Sequence, residues 1–275
     1  GSGLEFRRPF LTGSDRVRLP ARLRRVYTGA MSAARPDDLV RSPPPRLRPY
    51  VSDYVGYDIA GVPAGTHLGL PSGMLTFIVS IERPLLQVDE ETGTADAFDV
   101  LLAGLHLRRT LIRHDGVMAG IQINFSPLAP RALFGIPAGE FVHRSYDLTE
   151  ISRPLAAELH ERVNAAETWT DRFDAIDEVL TFVLDGDRAP RAEVVASWRQ
   201  IAGSHGGLPV SLVADRIGWS RRHLNTQFTA EFGIGPKDAG RVLRFDRARK
   251  MMTAGHNALA DIAVACGYAD QSHLN

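Results

Sequence analysis

The chain is expected to be an α+β protein with three parts. An N-terminal β-sandwich or barrel-like (cupin-like) domain is followed by a helical connector and an all-α C-terminal domain with two helix-turn-helix units. Three observations lead there. Between about residues 47 and 150, short β-branched and aromatic runs are separated by Gly and Pro turns. After residue 150 the apolar residues recur at three- and four-residue spacing, as on one face of a helix. Near the C-terminus a two-helix pattern around a glycine, Gly218, returns around Gly267, 49 residues further on. The expected boundaries are 1–40 for a disordered or appended tail, 41–150 for the β domain, 151–188 for the connector and 189–275 for the C-terminal domain.

The elements follow in order. Residues 7–30 are Arg-rich without apolar periodicity, Gly1–Phe6 has the look of a cloning remnant, and Met31 is a plausible native start. Arg41-Ser42-Pro43-Pro44-Pro45-Arg46 excludes regular helix and central strand, because proline lacks the N–H both require. Strands are expected over 50–57, 75–81, 100–105, 110–113 and 117–125. In the last, Ile121, Ile123 and Phe125 alternate with Gln122 and Asn124, the period-2 pattern of a half-buried strand. A short helix should follow Pro127. Leu155, Leu159 and Val163 mark one connector helix. Phe173, Ile176, Leu180 and Val183 mark a second, capped by Thr170 and ending at Gly186. This pair either covers the sheet or mediates dimerisation, with covering slightly favoured. Gly186-Asp187-Arg188-Ala189-Pro190 is the best interdomain linker, and Val194–Ile201 starts the C-terminal domain.

In the first helix-turn-helix unit, Leu212, Val213 and Ile217 are expected to form the apolar face of the leading helix. Gly218 permits the turn, and Ser220 caps a second helix with core positions Leu224 and Phe228. That helix leaves Arg221, Arg222, Asn225 and Thr226 outward, groups able to reach base edges or phosphates. Phe232-Gly233-Ile234-Gly235-Pro236 ends it and starts a connecting helix, with Val242, Leu243, Phe245, Ala248, Met251 and Met252 on one side and Arg241, Arg244, Arg247, Arg249 and Lys250 on the rest. The second unit runs from Ala258 through Cys266-Gly267-Tyr268 to Asn275, inside what would be its reading helix.

The succession Leu-Val-Ala-Asp-Arg-Ile-Gly-Trp-Ser-Arg-Arg-His-Leu, Phe-Gly-Ile-Gly-Pro, Arg-Phe-Asp-Arg-Ala-Arg and Ile-Ala-Val-Ala-Cys-Gly-Tyr-Ala-Asp-Gln-Ser-His-Leu resembles the DNA-binding domain of the AraC/XylS transcription regulators. The resemblance covers about 190–275, and the β segment resembles the N-terminal domain of the same regulators more weakly. It implies an effector-responsive regulator that reads two major-groove segments of double-stranded DNA. It places Arg222, Asn225 and Thr226 in the groove, suited to guanine, adenine and the thymine methyl respectively, with Arg221 on a phosphate. In the second unit Gln271 and Ser272 fall where the family reads bases, and His273 and Asn275 join the candidate contacts. His223 and His273 have a structural or phosphate-facing role as readily as base readout. Implied partners are DNA, a small-molecule effector, RNA polymerase and a second copy of the chain. The same resemblance implies residues beyond Asn275 and a second unit incomplete as it stands.

Composition supports the reading. Apolar residues make up 44% and charged residues 23% of 275, as in a globular chain with sizeable cores. The formal net charge is zero, yet it is segregated. Residues 210–275 hold nine Lys and Arg against six Asp and Glu, while 46–150 hold eight against twelve. A basic C-terminal end suits phosphate contact. No run approaches the ~18 continuous apolar residues of a membrane span, so no membrane is expected. The single cysteine, Cys266, reads as a small buried hydrophobe, and a cytoplasmic location is expected. None of the nine histidines stands in a His-x-His or His-Glu-x-x-His spacing. His67, His106 and His114 could still converge in a cupin-like barrel, so a metal-dependent β-barrel enzyme is the rival reading, with a non-catalytic assembly module behind it. No phosphate loop or nucleophile elbow is present, and neither catalytic residues, a metal nor a cofactor is expected.

Overall fold

A computed structural model of the chain describes residues 39–142, 144–255 and 258–269. Two antiparallel sheets form the N-terminal half. The strands are β1 (Val40–Arg41), β2 (Val51–Ile59), β3 (Gly65–Gly69), β4 (Leu75–Ile81), β5 (Leu85–Val88), β6 (Ala95–Phe98), β7 (Val100–Ala103), β8 (Thr110–His114), β9 (Met118–Phe125) and β10 (Ser145–Asp147). The larger sheet has the order β1-β2-β9-β4-β7-β10 and the smaller one β3-β8-β5-β6. The expected strands over 75–81 and 110–113 match β4 and β8 closely. The sequence reading did not name β3, β5 and β6, whose residues are largely exposed or half-buried and carry little apolar alternation. Just before the prolines at 43–45, Val40 and Arg41 form the two-residue edge strand β1, which stops short of residues that could not donate to a ladder.

Both faces of the larger sheet are covered, and the pleat assigns each side chain to one of them. Tyr54, Phe77, Val79, Leu102, Ile121, Ile123 and Phe125 are buried on the helical side. Tyr57, Ile78, Leu101 and Ala103 meet Leu85, Phe98 and Ile112 in a smaller core toward the second sheet. Gln122 and Asn124 of β9 therefore face the second sheet rather than open solvent. The register pairs Val79 with both Val100 and Ile121, so β4 is flanked on each edge and nearly all of it is buried.

The helical side begins with α1 (Ala129–Phe134), a 3-10 turn at Ala138–Phe141, and the pair α2 (Thr149–Ala165) and α3 (Trp169–Val183). Leu155, Leu159 and Val163 of α2 and Phe173, Ile176 and Leu180 of α3 are buried, so the pair covers the sheet. The cap of α3 is Thr168 and not Thr170: the Thr168 side chain accepts from the Asp171 N–H at 3.2 Å and the helix begins one residue later. It ends at Val183, before Gly186, because Leu184 turns into extended backbone and is buried. Asp177 on α3 ties the sheet to the helices. It accepts from the Tyr54 hydroxyl at 2.6 Å and from Arg41 at 2.6 Å. Burial pushes the Tyr54 phenol far above its ordinary range, and it raises the Asp177 carboxyl as well.

The C-terminal helices are α4 (Ala192–Gly203), α5 (Val210–Ile217), α6 (Arg221–Phe232), α7 (Pro236–Ala254) and α8 (Leu259–Ala265). Pro236 occupies the first turn of α7, where its missing N–H costs nothing. The buried face of α5 is Val213 and Ala214. Leu212 is 39% exposed and Ile217 half-buried, because adjacent residues on a short helix cannot all face one neighbour. One contiguous core links the sheet to these helices, from Leu47 through Phe141 and Leu180 to Phe228, Phe232 and Ala239. Among the described residues no helix is long and apolar enough to cross a membrane.

The α4–α5 turn is held against α7 by a close backbone approach. Gly206 has φ +75°, and a Cβ there would overlap the Gly240 carbonyl oxygen. Arg244 also donates to the Gly206 carbonyl at 2.5 Å. Gly206→Ala is expected to lower stability by about 2 kcal/mol or more. Gly186→Ala, where a Cβ meets nothing within 4 Å, should leave the urea midpoint nearly unchanged, and equal effects from the two would contradict this.

Candidate functional site

Helix α6 is built to present one polar face. Gly218 closes α5 at φ 74°, and Ser220 accepts from the His223 N–H at 3.2 Å, fixing where α6 starts. Leu224, Phe228 and Phe232 recur every four residues and are fully buried. Trp198 stacks on Phe228 at 6.0 Å and lies tilted against Phe232 at 5.0 Å between ring centroids. The opposite face leaves Arg221, Arg222, His223, Asn225 and Thr226 exposed. Among the described residues neither Arg221 nor Arg222 has an ion-pair partner. The Thr226 hydroxyl already donates to the Arg222 carbonyl at 3.1 Å, which leaves its methyl and an accepting oxygen for a ligand. His223 packs edge-on against Trp219 at 4.6 Å, and Arg191 lies 5.9 Å over the Trp219 ring.

Downstream of α7, Ile262 and Cys266 pack on Ala248, Met251, Met252 and Tyr268 in a small separate core. Cys266 is buried, its thiol pushed up by desolvation, with its sulfur 3.8 Å from that of Met251. It sits as the small hydrophobe expected. Gln271, Ser272, His273 and Asn275 lie outside the described residues, as does the expected tail up to residue 38.

The far end of α6 is fastened to the β domain, which sequence reading missed. Glu231 is almost fully buried and is gripped by Arg131 of α1 through three hydrogen bonds of 2.7 to 3.1 Å. Gly139 of the 3-10 turn lies against the backbone of Ala230 and Gly233. The partners are 100 residues apart in sequence, and no periodicity connects them. Removing one partner of such a pair leaves a buried charge unmatched. Because Arg131 is about one-third exposed, Arg131→Ala should cost about 1–3 kcal/mol in chemical denaturation. Pairing it with Glu231→Leu should recover part of that loss, whereas strict additivity would contradict a direct coupling.

Between the two sheets lies a cavity of about 410 Å³. Ile78, Leu85, Leu101, Ile112 and Met118 give it an apolar wall. Its polar groups are largely paired: Gln122 donates to Asn124 at 2.8 Å, Asn124 donates to Asp53, and Ser145 donates to Gln87 at 2.7 Å. Asp246, Arg249 and Lys250 of α7 complete the lining. Asp246, itself buried, accepts from Arg249 at 2.7 Å and pairs with Lys250 at 2.8 Å. The cavity thus touches both the β domain and α7, the helix that joins α6 to α8.

His67 and His106 line the cavity and His114 is not part of its lining. Among the described residues no group of three or more His, Cys, Asp or Glu is placed to hold a metal. Burial holds His106 below the usual imidazole value of 6.5, and burial together with the neighbouring His114 does the same for His67. Below pH 6.5 the unfolded chain takes up protons that these folded imidazoles refuse. Their contribution is therefore intact above 6.5 and declines as pH falls toward the folded values. His106→Gln should flatten the loss of urea midpoint between about pH 7.5 and 5.5; an unchanged slope would count against the assignment.

Residues 213–275 match the family described as a helix-turn-helix domain, and residues 40–147 match a domain of unknown function, DUF6597. The uncharacterised HTH-type transcriptional regulator YbfI of Bacillus subtilis (strain 168) is 34% identical over 62 residues, 22% of each chain. The chain thus spans about a fifth of that curated relative. Among solved structures, ToxT from Vibrio cholerae is 13% identical, with 80% of this chain and 91% of that chain covered at a TM-score of 0.44. A ToxT structure with bound unsaturated fatty acid is 12% identical, covering 85% and 91% at 0.45. The AraC-like transcriptional activator CuxR is 15% identical, covering 78% and 86% at 0.29.

Proposed function

We propose that this chain, whose C-terminal region is a helix-turn-helix domain of the AraC type, is a sequence-specific DNA-binding transcription regulator that responds to a small-molecule effector. The observation that carries the reading is α6 itself. It is a capped helix locked by Leu224, Phe228 and Phe232, whose exposed face carries two arginines with no ion-pair partner among the described residues, beside Asn225 and Thr226. Arg222 reads a guanine edge bidentately, Asn225 an adenine, and the Thr226 methyl a thymine, while Arg221 neutralises a phosphate. In the second unit, Gln271 and Ser272 are the base readers, with His273 and Asn275 beside them.

The effector reading rests on the cavity, whose lining includes Asp246, Arg249 and Lys250 of α7. A ligand there changes DNA affinity only if it prefers one arrangement of α7 and the sheets over another. We further propose the boundaries 41–150 for the sensor, 151–188 for the connector and 189–275 for the DNA reader. A homodimer fits the exposed side of α3, where Phe182 is 88% exposed. RNA polymerase is a further partner, the chain is not an enzyme, and it works in the cytoplasm.

Selection of bound duplexes from a random library should yield a defined consensus. Arg222→Ala should then cost roughly 1–3 kcal/mol on that consensus and relax preference at one base pair. Equal loss on every sequence would make Arg222 a phosphate contact instead.

A further inference from the structure

The cavity carries information about its ligand beyond the bare expectation of an effector. His106 is the informative residue. Its Nδ1 lies 3.2 Å from the Gly104 carbonyl, and a carbonyl only accepts, so Nδ1 carries the proton. In the neutral ring Nε2 is then a bare acceptor. That atom is buried and has no hydrogen-bond partner among the described residues. Among the described residues the Tyr57 hydroxyl, on the same lining, is hydrogen-bonded to no residue either, and its phenol is held well above its ordinary range by burial. A buried acceptor without a donor costs more than the same space filled by apolar atoms, so its retention in a lined cavity points to a ligand that supplies the donor.

The charges around the cavity give an anion no net attraction, because Asp53 and Asp246 offset Arg249 and Lys250. Arg249 and Lys250 are both already paired with Asp246. A carboxylate would also meet Asp53 and Asp246 on the same lining. Arg249 Nε is a buried donor with no partner among the described residues, so it is the atom an anion would use, and a charged probe tests it.

We propose that the inter-sheet cavity takes an uncharged molecule with a hydroxyl or N–H donor bonded to His106 Nε2 and an apolar body against Ile78, Leu85, Leu101 and Ile112. This rests on the reading of the cavity as the effector site. About 410 Å³ lies within the usual range for small-molecule pockets.

The test uses the full chain and three probes of one shape: 4-phenylbutanol, 4-phenylbutyrate and butylbenzene. Calorimetric titration and thermal melting should show the alcohol binding about tenfold more tightly than either of the others, the worth of one buried hydrogen bond. His106→Gln, which keeps an acceptor, should retain the preference. His106→Leu should reduce the alcohol to the level of butylbenzene while leaving the affinity for butylbenzene itself unchanged, whereas a merely structural histidine would weaken all three probes alike. Tighter binding of the butyrate would overturn the ligand class and place recognition at Arg249, leaving the effector reading intact. So would an alcohol preference that survives His106→Leu. If no probe binds while the chain still selects a DNA consensus, the cavity is not an effector site, and only the DNA-reading proposal stands.

Discussion

The larger sheet is sandwiched, and most of the molecule follows from that constraint. A pleated strand must send alternate side chains to opposite faces. With helices on one side and a second sheet on the other, β4 has no solvated face, and its run Leu75-Thr76-Phe77-Ile78-Val79-Ser80-Ile81 is correspondingly apolar. On the helical side the pleat feeds Phe77, Ile123 and Phe125 into a core that continues without a break to Phe228 on α6. Toward the second sheet it places Ile78 and Leu101 beside Gln122 and Asn124, and these line the cavity. One layer therefore supports the helix proposed to read DNA and walls the space proposed to hold a ligand.

Two connections make that geometry consequential. At the end of α6 the Arg131–Glu231 pair and the backbone approach at Gly139 leave the helix little freedom to move against the β domain. Along α7 the Asp246, Arg249 and Lys250 cluster lines the cavity on the helix that runs between α6 and α8. Both joints are charged groups in partly dry surroundings. Their strength is set by how well they are matched and by how much water reaches them. On the proposed effector reading, a ligand that altered the α7 wall would act on the helix between α6 and α8.

How much of this was legible in the chain depends on the range of the forces involved. Local rules located α6 to the residue: Ser220 caps, Gly218 takes a left-handed turn, and Leu224 and Phe228 repeat at the helical period. The same rules erred by two residues at the Thr168 cap of α3, where two threonines compete within three positions. They also misjudged Leu212, because a short helix contacts its neighbour along a narrower stripe than its apolar residues occupy.

What the sequence by itself determined is the class of the protein and the helix-turn-helix signature, since caps, turns and helical periods act within a few residues and leave their mark at fixed spacings. Only the tertiary structure decided what the polar half of β9 faces. Alternation reports that Gln122 and Asn124 share a side, but water and a polar cavity impose the same pattern, and the second sheet alone distinguishes them. The bare nitrogen of His106, the clamp on Glu231 and the contribution of α7 to the cavity lining likewise belong to the tertiary structure. Each joins residues far apart in the chain, and no local periodicity encodes such a meeting.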